Sequence, residues 1–106
     1  MNKYLEKALE IAMTSKCRHK HGCIVVNNGK ILATATNKKV GDPNTHWRKA
    51  HIHAEAAAVS AAGSRAHGAT VYVARVAADG SPAESRPCKK CDGYLERLGV
   101  ARVRWT

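Results

Sequence analysis

Four cysteines and six histidines give this chain its metal-binding chemistry, and they fall into two groupings. The first is the run KCRHKHGC, which sets Cys17, His19, His21 and Cys23 at alternate positions. In an extended chain all four point to one face, and a two-cysteine, two-histidine set suits zinc. Ligands two apart on a straight strand are spread over about 7 Å per pair, so four of them surround one ion only if the backbone bends sharply. Cys23 also opens the apolar run CIVV, where a buried cysteine packs as a small hydrophobe. We read Cys17 and Cys23 as core and His19 and His21 as surface, with an accessory metal site as the remaining option.

The second grouping is split between HIHAE at 51–55 and PCKKC at 87–91. Cys88 and Cys91 are three apart at the start of an expected helix, so they share a face and can reach one ion. The helix N-terminus, with Lys89 and Lys90 beside it, favours the thiolates that zinc requires. A C-x-x-C alone also fits a redox pair or half a structural zinc knuckle, and it needs a second half. His53 supplies a nitrogen and Glu55 a carboxylate that is not itself a ligand. On an ideal helix these two point apart, so both face the ion only if His53 lies in a distorted first turn. Three protein ligands leave a fourth position to water, the mark of a catalytic zinc site. Glu55 could then take the proton of that water and deliver it to a leaving group. A reading from another class adds His51 as a fourth ligand, giving a structural zinc module that binds nucleic acid without chemistry.

The elements that must position these residues follow from the pattern. Residues 2–15 place Leu5, Ala8, Leu9 and Ala12 at a helical period, an amphipathic helix. GCIVVNNGKILATATN holds two apolar runs around Asn-Gly, a hairpin with strands at about 23–27 and 31–36. KKVGDPNTHWRK has no period and reads as a loop. HIHAEAAAVSAAG suits a short buried helix ending at Gly63, and TVYVARVA a strand. A third helix opens at Pro87 and runs to Gly99, and VARVRWT forms the last strand. The order is α-β-β-α-β-α-β, an α/β sheet architecture with helices carrying the split cluster.

At 106 residues the chain fits a single domain, 1–106, and no stretch has the apolar length to span a bilayer. MNKYLEKALEIAMTSK lacks the apolar centre of a signal peptide, which points to the cytoplasm. In that reducing setting, closely spaced cysteines favour metal ligation over disulfides. Eighteen Lys and Arg against eight Asp and Glu give a net charge of +10, a surface that favours polyanions. Lys38, Lys39, Arg48, Lys49, Arg86, Lys89 and Lys90 lie close in sequence to the split cluster, which favours a phosphate-bearing ligand.

H-x-E followed by P-C-x-x-C resembles the signature of the zinc-dependent cytidine and deoxycytidylate deaminase superfamily. The segment ALEIAMTSKCRHKHGCIVVNNGKILATATN is also similar to the first helix and hairpin of deoxycytidylate and tRNA adenosine deaminases. The resemblance implies a cytidine-deaminase-like layered fold with a mixed central sheet of about four strands. It implies Zn2+ on His53, Cys88 and Cys91, Glu55 as proton shuttle, and Asn37 as a substrate contact. The backbone amide of Ala54 would hold the exocyclic group or the water, and Cys17 and Cys23 would belong to the scaffold. Two features depart from the pattern. ESRPC replaces the Thr-containing run often seen before the second motif. The chain also ends soon after its fourth expected strand, as in a short member of the family, leaving a sheet edge or a dimer contact. Whether the protein is a monomer or a homo-oligomer stays open.

The expected reaction is hydrolytic deamination of cytosine to uracil. Single-stranded DNA or RNA is the favoured substrate because of the charge, with DNA first, and a free nucleotide such as dCMP or cytidine is the alternative. The choice of cytosine over adenine comes from the resemblance. Trp47, in the loop before His53, could stack on a base, and Arg86 is a further candidate substrate contact.

Overall fold

The computed structural model describes residues 2–40 and 50–106, with side chains described for 2–38 and 53–106. Helix α1 (Lys3–Met13) begins behind Asn2, whose side chain accepts the Tyr4 backbone N–H at 2.8 Å, satisfying one of the donors a helix start leaves without a partner. Its small residues Ala8 and Ala12 are fully buried. They let the helix lie so close to the sheet that a Cβ added at Gly22 would collide with the Ala8 carbonyl and the Ala12 backbone.

Strands β1 (Lys20–Asn27) and β2 (Lys30–Thr36) form the expected antiparallel hairpin. Asn28 (φ 52°) and Gly29 (φ 74°) both take the left-handed conformation that a two-residue hairpin turn demands. The first strand starts three residues earlier than the apolar run indicated, because Lys20, His21 and Gly22 pair with Val76, Arg75 and Ala74. The segment read as a loop from Lys38 also needs correction. Lys38–Val40 (β3) pairs antiparallel with Ala50–Ile52 (β4) as a separate two-stranded ladder, too short to show a period. Residues 41–49 lie outside the described residues, and with them the readings of Trp47, Arg48 and Lys49.

Helix α2 (Ala54–Ala62) is followed by a short 3-10 turn (Gly63–Ala66) and strand β5 (Thr70–Val76). A two-residue strand, β6 (Pro82–Ala83), precedes helix α3 (Lys89–Arg97) and strand β7 (Arg102–Trp105). The third helix starts two residues after Pro87, since Cys88 keeps an extended backbone (φ −68°, ψ 163°) as its N-cap.

The main sheet has five strands among the described residues, one more than expected because of β6. Its order is β2-β1-β5-β6, with β7 also on β5. It is mixed, since β7 runs parallel to β5 and the other pairs are antiparallel. Helix α1 covers one face through Ala8, Ile24, Val26 and Ala74. Helices α2 and α3 cover the other, around Cys23, Val25, Val59, Val71, Val73 and Leu95. The outer edge of β5 is divided, with β7 beside Thr70–Val73 and β6 beside Arg75–Val76. No helix of the described residues is long and apolar enough to cross a membrane.

Candidate active site

The starts of α2 and α3 bring the split cluster together. His53 is the N-cap of α2, extended (φ −71°, ψ 147°) and making no side-chain bond to the first turn, so its imidazole is available. This extended backbone takes His53 out of helical phase, which lets His53 and Glu55, the second residue of α2, line the same cavity. Cys88 caps α3, and its Sγ accepts the Cys91 backbone N–H at 3.4 Å. His53 Nδ1 lies 3.0 Å from Cys91 Sγ and 3.8 Å from Cys88 Sγ. All three donor atoms fall within 4.8 Å of one another, the only such group among the described residues.

Zinc bonds of about 2.3 Å to sulfur and about 2.1 Å to nitrogen, at tetrahedral angles, separate donor atoms by about 3.6 Å. The set has the type and span for that ion. Its electrostatics agree. Burial above all, with the neighbouring Cys88 and Glu55, pushes the Cys91 thiol up to about 12. Two helix N-termini favour negative charge here, and a divalent cation supplies the larger positive charge that two thiolates need.

A cavity of about 500 Å³ opens over the cluster, walled in part by Arg18, His21, Asn37, Glu55, Ser85 and Arg86. Glu55 is only 5% exposed. Ala54 is buried on the same wall at the first helical position, where a backbone N–H has no acceptor within the helix. Asn37 also lines the cavity. Its Oδ1 accepts from Ser15 Oγ at 2.7 Å and from the His21 backbone N–H at 3.1 Å, while its Nδ2 donates to the His19 carbonyl at 2.6 Å. Most of this amide therefore pins the 15–21 segment against the end of β2. Arg86 stands exposed on the wall. Trp47 and the side chain of His51 are outside the described residues.

The run KCRHKHGC does not form a metal cluster among the described residues, but part of it builds the cavity. Cys23 sits in the core as expected, where burial holds its thiol well above the ordinary value. Cys17 differs from expectation. It is half-buried on the cavity wall, its Sγ donating to the Asn37 carbonyl at 3.4 Å. His19 is exposed, whereas His21 is half-buried because β1 reaches back to Lys20 and sets it opposite Arg75. Burial lowers the pKa of His21, and the nearby Arg75, His53 and His19 lower it further. The sequence reading also missed Ser85 and Arg18 on the wall. Ser85 is 4% exposed, and its Oγ donates to the Val73 carbonyl at 2.8 Å. No local spacing marks it, since its place depends on how β6 and β7 share the edge of β5.

Comparison with known proteins places this geometry. The family model described as the cytidine and deoxycytidylate deaminase zinc-binding region matches residues 1–106. The riboflavin biosynthesis protein RibD of Escherichia coli (strain K12) is 32% identical over 104 residues, covering 94% of this chain and 25% of that protein. The dCMP deaminase of cyanophage S-TIM5, solved with dCMP and dUMP, superposes with a TM-score of 0.73 at 24% identity, over 99% of this chain and 82% of that one. RibD of Acinetobacter baumannii gives 0.64 at 25% identity, over 97% and 27%. The chain thus spans about a quarter of the length of the curated relatives it matches. Its matched length and its histidine and two cysteines gathered for zinc make it a member of the cytidine and deoxycytidylate deaminase family.

Proposed function

We propose that this zinc-dependent deaminase removes the exocyclic amino group of cytosine in a free pyrimidine nucleotide by hydrolysis. The observation that carries the reading is the cavity of about 500 Å³ lined by His53, Cys88 and Glu55, with Arg18 and Arg86 on its wall. That volume suits one small ligand, and two guanidiniums suit one phosphate. The S-TIM5 relative, named as a dCMP deaminase, supports the same substrate class.

His53, Cys88 and Cys91 would hold the zinc, which would supply the positive charge that lowers the pKa of a water toward neutrality. Glu55 accepts one proton of that water and delivers it to N3 as oxygen adds at C4, then carries the second proton, from the new C4 hydroxyl, to the amino group, which leaves as ammonia. Cytosine and water become uracil and ammonia. The backbone N–H of Ala54 orients the oxygen or the departing amino group, and Asn37, on the same cavity wall, has a second amide N–H to offer the sugar.

A second reading, cytosine within single-stranded nucleic acid, is favoured by the net charge of +10. The deciding experiment offers zinc-loaded protein dCMP and, separately, a cytosine-containing DNA oligonucleotide, and scores uracil against Glu55→Ala. Conversion of dCMP alone supports the free-nucleotide reading, and conversion of the oligonucleotide alone replaces it with the second. A structural module without chemistry predicts neither conversion, together with loss of zinc in His51→Ala.

A further inference from the structure

Arg86 and the C-terminal residues Trp105 and Thr106 form one stitched unit beside the cavity. The Arg86 guanidinium lies over the Trp105 ring, 5.7 Å from its centroid. The backbone below that stack is held from both sides. The Ser85 N–H donates to the Thr106 carbonyl at 3.0 Å, and the Thr106 N–H donates to Ser85 Oγ at 3.0 Å. Thr106 Oγ1 donates to the Ala83 carbonyl at 2.6 Å and accepts the Arg75 N–H at 3.2 Å, bridging the point where β6 and β7 meet along β5.

Among the described residues the one ion pair joins Lys7 to Glu10, so Arg86 has no carboxylate partner there. A free arginine samples many rotamers, and ordering it on binding weakens the contact it makes. An aromatic face that holds the guanidinium beforehand removes part of that cost while leaving its N–H edge open to a planar or tetrahedral oxyanion.

We propose that Trp105 is a positioning residue that holds Arg86 over the cavity, where the guanidinium recognises the phosphate of the nucleotide substrate. The proposal rests on the free-nucleotide reading and names the group that reads its phosphate. Trp105 acts through Arg86 alone, so the two residues are energetically coupled.

The test compares kcat/KM for dCMP and for deoxycytidine in the zinc-loaded wild type, Arg86→Gln, Trp105→Leu, Trp105→Phe and the double variant, with zinc content measured for each. The preference for dCMP falls about tenfold or more in Arg86→Gln, as expected for a lost charge-assisted hydrogen bond. It falls about threefold in Trp105→Leu, the scale of an exposed cation–π contact. The loss appears in KM, Trp105→Phe restores it, and adding Trp105→Leu to Arg86→Gln lowers the preference no further. The proposal is overturned if Trp105→Leu lowers both substrates in proportion, leaves the preference in place, or adds fully to Arg86→Gln. Should the wild type convert neither substrate, the reading of function fails, and calorimetric binding of dCMP then decides the proposal separately. Weaker binding in Trp105→Leu and Arg86→Gln supports it, whereas equal binding, or none to the wild type, overturns it.

Discussion

Glu55 and His21 share one cavity and carry opposite obligations. Glu55 is buried beside the metal donors without being one of them, so the roles of holding the ion and moving the proton are separable. Glu55→Ala is expected to keep zinc at the wild-type level by metal analysis while slowing turnover by about 10²–10⁴-fold, the usual contribution of a positioned proton carrier. Loss of zinc in that variant would place Glu55 in the coordination shell. His21 resists protonation, because burial and the charges of Arg75, His53 and His19 depress its pKa below 6.5. Below pH 6.5 the unfolded chain therefore binds a proton that the folded chain refuses, and stability falls as pH falls; above 6.5 the effect is absent. Thermal melts between pH 7.5 and 5.5 should show this decline, with a shallower slope in His21→Gln. An unchanged slope would mean that other groups govern acid sensitivity.

At the scale of elements, the approach of α1 to β1 is set by one missing side chain. Gly22 lies under Ala8 and Ala12, and the collision a Cβ would make is with backbone, which cannot swing aside as a long side chain can. Gly22→Ala should destabilise the protein by about 1–3 kcal/mol or more, the range for an overpacked core, read as a lowered denaturant midpoint at constant m. A midpoint within error of wild type would show that the helix lifts freely. This contact illustrates what the sequence made legible. The helical period of α1 and the Asn-Gly turn are local signals, so both elements were placed. The glycine between them gave no sign of its packing role. Likewise His53, Cys88 and Cys91 were recognisable from residue type and spacing, as was the need for His53 to leave the helical phase. The three-residue ladder of β3 and β4 and the two-residue β6 carry no period, and Pro87 looked like a first helical residue because Cys88 is not an obvious cap. Cys17, His21 and Ser85 reach the cavity through strand register and edge sharing, which no spacing within one segment encodes.

For the whole molecule, the question is what a net charge of +10 does. Charge spread over a surface attracts any polyanion, whereas under the free-nucleotide reading the two arginines on the wall of the partly enclosed cavity would meet one phosphate. Salt separates these effects. A protein that tracks a nucleic-acid backbone through 6–10 phosphate contacts loses about 10³–10⁵ in affinity between 50 and 200 mM salt. A single phosphate in a partly enclosed site involves few released counterions, and its electrostatics are less screened. Under the free-nucleotide reading, KM for dCMP should therefore rise by no more than about a few-fold over that range. Oligonucleotide binding, measured in parallel by fluorescence anisotropy, should collapse over the same range without any uracil forming. If uracil does form in the oligonucleotide, with kcat/KM falling as steeply as the binding, then the positive surface delivers the substrate and the cavity takes a base from a strand. A flat dCMP response beside a steep, unproductive oligonucleotide response would instead assign the excess charge to a contact that is separate from catalysis.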